Sequence, residues 1–277
     1  MQRAELDGIS LEYEVRGRGE PVLLVHGALV ADWFAPLMAE PSLTERYSLI
    51  NHHRIGYGGS THVDHPVSIA DQAAYCRALL EHLGVECAHV VGHSSGANIA
   101  LQLALDSPQR VRSLALLEIV LSEVPSAQEY AERNMAPVIH HYGAGEKAEA
   151  TDAFLRGVGG EGYRAALDRA LPSGYLEQAV ADADPFFRTE LPAVRQWRLA
   201  REDAERITQP MMAVLGGECD TVSTVFRERH ELRLRMLPHA ESFELAGVTH
   251  LTYVKDAQGM ASRLAEFFRR HPIPNPD

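Results

Sequence analysis

Cysteine is scarce in this chain: three in 277 residues, Cys76, Cys87 and Cys219, in no paired or metal-like spacing. That excludes a disulfide framework and a cysteine-based zinc site, and it fits a reduced, intracellular protein. Cys219 adjoins Asp220 and reads as a small buried filler. No apolar leader follows Met1-Gln2-Arg3-Ala4-Glu5, so no export signal is visible. No run of about 18 apolar residues occurs, so no membrane-spanning helix is expected. Positive charge is short, with 26 Lys and Arg against 38 Asp and Glu, a net charge of −12. Nucleic acids and anionic membrane surfaces repel such a chain, so neither is an expected partner. Internal repeats and low-complexity runs are also missing. A hydrophobic content of 45% suffices for a sizeable core. The expectation is a cytoplasmic protein, monomer or homodimer, acting on a small molecule.

The first part of the chain alternates strand and helix signals. Ile9 to Val15 alternates apolar and polar residues, Val22 to Val25 is a continuous apolar run, and Ser48 to Asn51 is a short strand candidate. Ser68 reads as the N-cap of a helix reaching Leu83, with Gly84 past its end. Strands separated by helices predict βαβ units, hence an α/β fold with a mostly parallel central sheet flanked by helices. From Ser122 to Arg206 strand patterning disappears. Helical spacing recurs over 128–138, 148–156, 163–171 and 176–183, broken at Gly157-Val158-Gly159-Gly160 and Pro172-Ser173-Gly174. Strand signals resume at Met211 and Phe243, and a last helix spans Ala257 to Arg270, ahead of a proline-rich tail expected to fray. The predicted division is a core of residues 1–121 and 207–277, with a helical insertion, residues 122–206, lying over the site. Its aromatics Tyr130, Tyr142, Phe154, Tyr175, Phe186, Phe187 and Trp197 are candidates for an apolar pocket, of which two or three are expected to face substrate.

Gly92-His93-Ser94-Ser95-Gly96 joins the apolar run Ala88-His89-Val90-Val91 to the Ala/Leu-rich stretch Ala97–Leu105. A serine on a sharp turn between strand and helix is lifted clear of the sheet, and the flanking glycines let strand and helix approach. Ser94 holds the central position and is the candidate nucleophile. Ser95 opens the helix, where its backbone N–H is free to stabilise an oxyanion. A serine hydroxyl needs a base, and the base needs an orienting carboxylate. Of 14 histidines, His250 has the fitting position, on a loop after the last strand signal. Two carboxylates compete for the third role. Asp220 follows the strand Met211–Leu215, and Glu118 ends the strand Val111–Leu117. Both stand at carboxyl ends of strands, and both satisfy the chain order serine, acid, histidine. Asp220 is favoured. His52, His53, His62 and His65 cluster in sequence without a zinc-like spacing, and neither metal nor cofactor is expected.

These pieces together resemble the α/β-hydrolase family over nearly the whole chain. Val25-His26-Gly27-Ala28 is similar to its oxyanion loop, Arg54-Ile55-Gly56-Tyr57-Gly58-Gly59-Ser60 to its G-x-G-x-S loop, Gly92–Gly96 to its nucleophile elbow, Gly217-Glu218-Cys219-Asp220 to its acid loop, and Gly247-Val248-Thr249-His250 to its histidine loop. The resemblance implies Ser94 as nucleophile, His250 as base, Asp220 as acid, the backbone N–H groups of Ala28 and Ser95 as oxyanion hole, and the insertion as a cap. Two departures stand out. His53 occupies a position where the family often has aspartate. Some members take their acid from the strand end where Glu118 sits.

The leading functional expectation is a cofactor-independent serine hydrolase that cleaves a small to medium apolar ester or lactone through an acyl-enzyme. A carbon–carbon bond hydrolase of β-diketone type would use the same residues. A lyase or cofactor-free oxygenase would use the serine–histidine pair for proton transfer alone. A slow-turnover ligand receptor would use the insertion as a moving lid.

Overall fold

The computed structural model describes residues 1–6, 8–121 and 123–274. Its apolar runs form the inner strands of an eight-stranded sheet. The strands are β1 (Gln2–Leu6), β2 (Ile9–Gly17), β3 (Glu20–Val25), β4 (Tyr47–His52), β5 (Ala88–His93), β6 (Val111–Leu117), β7 (Met211–Gly216) and β8 (Glu241–Leu245). They lie in the order β1-β2-β4-β3-β5-β6-β7-β8. β2 alone runs against the others, pairing antiparallel with β1 and β4, and every other pairing is parallel. The continuous apolar runs fill the middle of the sheet because both of its faces are covered there. β5 and β7 are buried along their whole length.

Side chains alternate between the two faces as the pleat requires. Leu23, Val25, Val90, Leu114 and Leu116 pack in one cluster beneath helices Ile69–His82 and Ser95–Asp106. Val22, Leu24, Val91, Ala115 and Leu117 pack in a second, against helix Ala257–Arg270. The predicted cap at Ser68 forms a full capping box: its hydroxyl accepts from Asp71 N–H, and the Asp71 carboxylate accepts from Ser68 N–H.

Register matters most at the carboxyl ends. Val25 pairs with Gly92, His93 with Leu117, and Leu117 with Val214. The loops leaving β3, β5, β6 and β7 therefore open beside one another, at the edge where parallel sheets hold their sites.

Between β6 and β7 the described residues form helices and no strand. Ala127–Tyr130 continues through a wide π-type turn, Ala131–Met135, into Ala136–Gly143. Lys147–Gly159, Tyr163–Ala170 and Tyr175–Ala181 follow. A second wide turn, Phe186–Glu190, leads into Leu191–Gln196. Both expected breaks are present, at Gly160 and Gly174, each with positive φ, although the helix before the first runs three residues past its expected end, to Gly159. The expected boundary at Ser122 and the tail residues 275–277 lie outside the described residues. A third cluster, including Ala28, Leu29, Tyr130, Phe186, Leu215 and Phe226, seats this helical segment on the loops at the sheet's edge. No helix among the described residues is long and apolar enough to cross a membrane. β1 has no counterpart in the sequence reading.

His53 bridges two carboxylates. One ring nitrogen lies 3.1 Å from Glu12 Oε2 and the other 3.2 Å from Asp32 Oδ1. Burial alone would lower its pKa, but Asp32 and Glu12 together raise it above the ordinary 6.5. The contribution of these ion pairs to stability is therefore complete below pH 6.5 and fades as pH rises through the raised value. In urea unfolding at about pH 5.5 and about pH 8.5, the stability gap between wild type and His53→Gln is expected to narrow at the higher pH. A gap that widens with pH would mean that His53 is neutral in the folded state.

Candidate active site

Ser94 sits at the junction of β5 and helix Ser95–Asp106 with φ 54° and ψ −124°. A left-handed φ at a non-glycine residue costs of order 1–3 kcal/mol, and neighbouring structure must hold it. Here the Ser94 N–H donates to Leu117 O at 2.8 Å, and Ala97 N–H donates back to Ser94 O at 3.0 Å. A side chain at Gly92 would run into the backbone of Gly96 and Ala97, and one at Gly96 into the carbonyls of Val25 and His26. The elbow closes only because both positions are glycine. Ser94 is 8% exposed, and its wall of the pocket includes Ala28, Ser95 and His250.

The loop after β8 brings His250 to the same pocket. Its carbonyl accepts from His93 Nε2–H at 3.1 Å, and the Tyr253 hydroxyl donates to His93 Nδ1 at 3.1 Å, which fixes the His93 tautomer. Burial, then the neighbouring His250, keep His93 neutral by pushing its pKa well below 6.5. His250 Nδ1 lies 3.4 Å from Glu118 Oε2.

The favoured acid is thus corrected: the carboxylate against His250 is Glu118, not Asp220. Glu118 is 4% exposed and, like Ser94, has a positive φ, 55°. Its other oxygen accepts from Gly216 N–H and from the Cys219 thiol at 3.1 Å. Burial pushes its pKa up, yet His250, Gly216 and Cys219 together hold it below the ordinary carboxylate value. Asp220 points the other way. It is exposed and pairs with Arg227 Nε at 2.6 Å. Both residues belong to the short turn Cys219–Thr221, and in that turn Cys219 takes the inward position while Asp220 faces solvent. Cys219 is buried as expected, but its thiol also donates to Glu118, a contact that no spacing signals.

The pocket has a volume of about 380 Å³. Of the seven candidate aromatics, Tyr130, Phe154 and Phe186 line it, whereas Tyr142, Tyr175, Phe187 and Trp197 do not. At the pocket wall, where Glu190 is a lining residue, lies a buried ion pair that the sequence did not signal. Arg54 Nη2 is 2.9 Å from Glu190 Oε1, and both side chains are 2% exposed. Arg54 comes from the loop after β4 and Glu190 from the helical segment. The Tyr57 and Ser95 hydroxyls also donate to Glu190, and Arg54 Nη1 donates to Gln72.

Arg54 Nη2 donates as well to Gly27 O at 3.0 Å, where His26 Nδ1 lies at 2.7 Å. Since Arg54 N–H donates to His26 Nε2 at 3.0 Å, the His26 proton is on Nδ1 and is given to Gly27 O. Gly27 C=O and Ala28 N–H share one peptide plane, so two donors on the carbonyl fix the direction of the N–H. Ser95 N–H, at the first position of its helix, has no carbonyl within that helix to bond.

A family model described as alpha/beta hydrolase fold matches residues 20–150. A dihydrolipoyllysine-residue acetyltransferase component of an acetoin cleaving system from Cupriavidus necator is 38% identical over 122 residues, 43% of this chain and 32% of that protein. A putative carbamate hydrolase RutD from Azorhizobium caulinodans is 38% identical over 107 residues, 39% of this chain and 40% of that one. In both, the match spans less than half of the relative's own length. Among solved structures, the enol-lactonase from Burkholderia xenovorans superposes with a TM-score of 0.80 at 18% identity, covering 97% of this chain and 100% of that one. At that identity the likeness is one of fold.

Removing one partner of a buried ion pair strands the other charge at a cost of about 3–5 kcal/mol. Glu190→Ala should therefore lower the urea-unfolding free energy by that order, and Arg54→Met in the same chain should restore part of the loss. A loss below about 1 kcal/mol would mean that water reaches Arg54 and the pair is not sealed.

Proposed function

The chain belongs to the α/β-hydrolase fold family, and we propose that it is a serine hydrolase cleaving a small to medium apolar ester or lactone through an acyl-enzyme. The observation that carries this reading is the meeting of Ser94 and His250 in one pocket, with a buried Glu118 behind the His250 ring. Ser94 Oγ attacks the carbonyl carbon while His250 Nε2 takes the hydroxyl proton. The imidazolium is stabilised by Glu118, which its three donors keep charged at neutral pH. The oxyanion is received by the N–H groups of Ala28 and Ser95. The C–O bond then breaks, and His250 returns the proton to the departing alkoxide. Water, activated by His250, attacks the acyl carbon, releasing a carboxylic acid and restoring the Ser94 hydroxyl.

The pocket's size is at the small end of ligand sites, and its walls are mainly apolar, which supports a compact apolar substrate. In this reading residues 122–206 act as a cap that excludes water from the oxyanion. A reducing, cytoplasmic setting belongs to the same reading, supported by three free thiols, two of them buried.

With p-nitrophenyl butyrate and a γ-lactone as substrates, Ser94→Ala is expected to lower kcat by at least about 10³-fold and to abolish labelling by a fluorophosphonate. Glu118→Gln should lower kcat by about 10²–10⁴-fold, because it removes the charge that supports the imidazolium. Asp220→Asn, on the surface, should stay within about three-fold of wild type. A larger loss from Asp220→Asn than from Glu118→Gln would return the acid to Asp220.

A further inference from the structure

One cation in the pocket has no part in this chemistry. Arg229, on helix Val225–Met236, lines the same pocket as Ser94 and His250 and is only 9% exposed. Its Nε donates to Leu121 O at 2.8 Å. The guanidinium lies over the Tyr130 ring, 5.5 Å from its centroid, and 6.0 Å from that of Phe226. These contacts hold the group in place without neutralising it. The carboxylates that act on it are engaged elsewhere. Glu228 accepts from Ser126 N–H and hydroxyl at 2.9 and 2.8 Å, and Glu118 is held by Gly216, Cys219 and His250. Burial lowers the Arg229 pKa, the mark of a charge dehydrated beyond what its neighbours return. A guanidinium with Nε occupied still presents both Nη groups, a planar fork that matches a carboxylate.

We propose that Arg229 is a carboxylate-binding subsite, so that the substrate is an ester or lactone whose cleavable group is joined by a short apolar spacer to a carboxylate. This rests on the hydrolase reading above and replaces its wholly apolar substrate with one that carries a carboxylate at the far end. The spacer would lie along Val120, Met135 and Phe154, apolar residues of the same pocket. Arg195, exposed and on the pocket lining, adds positive charge for an incoming anion in a chain of net charge −12, whereas Arg198 beside it is paired with Glu123 at 3.0 Å.

The test uses the Ser94→Ala chain, which binds without turnover, with monomethyl adipate and dimethyl adipate as probes in titration calorimetry at neutral pH. The two differ at one end by a charge. Monomethyl adipate is expected to bind at least about ten-fold tighter, as one charge-assisted contact would provide. Adding Arg229→Gln should erase that preference. Arg229→Met, which keeps the stem against Tyr130 and Phe226, replaces it if the glutamine variant fails to fold. A merely structural role for Arg229, clasping Leu121, would weaken both probes alike and leave their ratio unchanged. Equal binding of the two probes, or a preference that survives loss of Arg229, overturns the subsite. The two readings fail separately. A wild-type chain that hydrolyses dimethyl adipate while Ser94→Ala shows no preference loses the subsite and keeps the hydrolase. An Arg229-dependent preference in a chain that cleaves neither ester and takes no fluorophosphonate keeps the subsite and loses the hydrolase.

Discussion

The Arg54–Glu190 ion pair is the constraint on which the candidate site depends. Two fully enclosed charges gain little net stability, since desolvation offsets most of their attraction. Their value lies in what they join. Glu190 comes from the helical segment and Arg54 from the loop after β4, so the pair ties the two together and its loss would strand a buried charge. The pair also touches both groups assigned to the oxyanion. Arg54 grips the carbonyl of the Gly27–Ala28 peptide, and Glu190 takes the hydroxyl of Ser95. A single buried pair thus links the seating of the helices to the Gly27–Ala28 peptide and to Ser95, which carry the two N–H groups proposed for the oxyanion.

The sheet supplies the second constraint. Because Val25, Gly92, Leu117 and Val214 lie in connected register, the chain leaves the sheet at adjacent points and must turn sharply at each. Among the described residues, the non-glycine positions with positive φ are Leu29, Ser94 and Glu118, and all three fall just past those strand ends. Strain at that level persists only where packing over-determines it. Leu29 is fully buried in the cluster beneath the helical segment, and Ser94 and Glu118 are locked by backbone bonds to Leu117 and Val214. Strain and packing here are two sides of one design.

How much of this could be read from the sequence follows from what each signal reports. Runs such as Val22–Val25 and Met211–Leu215 report burial on both faces, so the parallel sheet was legible, as was the Ser68 cap. The elbow was legible because its glycines answer a steric demand that few other turns make. The acid was not. Glu118 and Asp220 both follow strands, and spacing says nothing about which way a three-residue turn rotates its side chains. The turn Cys219–Thr221 sends Cys219 inward against Glu118 and Asp220 outward against Arg227. Glu190 was illegible for another reason. It lies in a wide helical turn within a segment of ordinary helix composition, and its partner is 136 positions away in sequence. His53 illustrates a third case: the departure from the family's aspartate is visible, but its consequence is not. In the structure that histidine lies between the carboxylates of Glu12 and Asp32.

Charge balance around Glu118 ties these observations together. Helix Val225–Met236 turns Arg229 and Arg233, one turn apart, toward the end of β6. Arg233 is fully buried, bonded to Leu116 O at 3.3 Å and to His230 Nδ1 at 2.6 Å, and burial pulls its pKa down to about 9 despite the attraction of Glu118. His230 is itself lowered to about 4 by burial and by Arg233, so it is neutral and accepts from the guanidinium. Two cations therefore face one carboxylate across this interior. Glu118 itself is held below the ordinary carboxylate value by His250, Gly216 and Cys219, against the effect of burial. Arg233 has its Nη groups committed within the fold, whereas Arg229, whose bond among the described residues is from Nε, stands at the pocket wall. In the proposed carboxylate subsite, a ligand's own charge would meet the positive charge that Arg229 holds at the pocket wall.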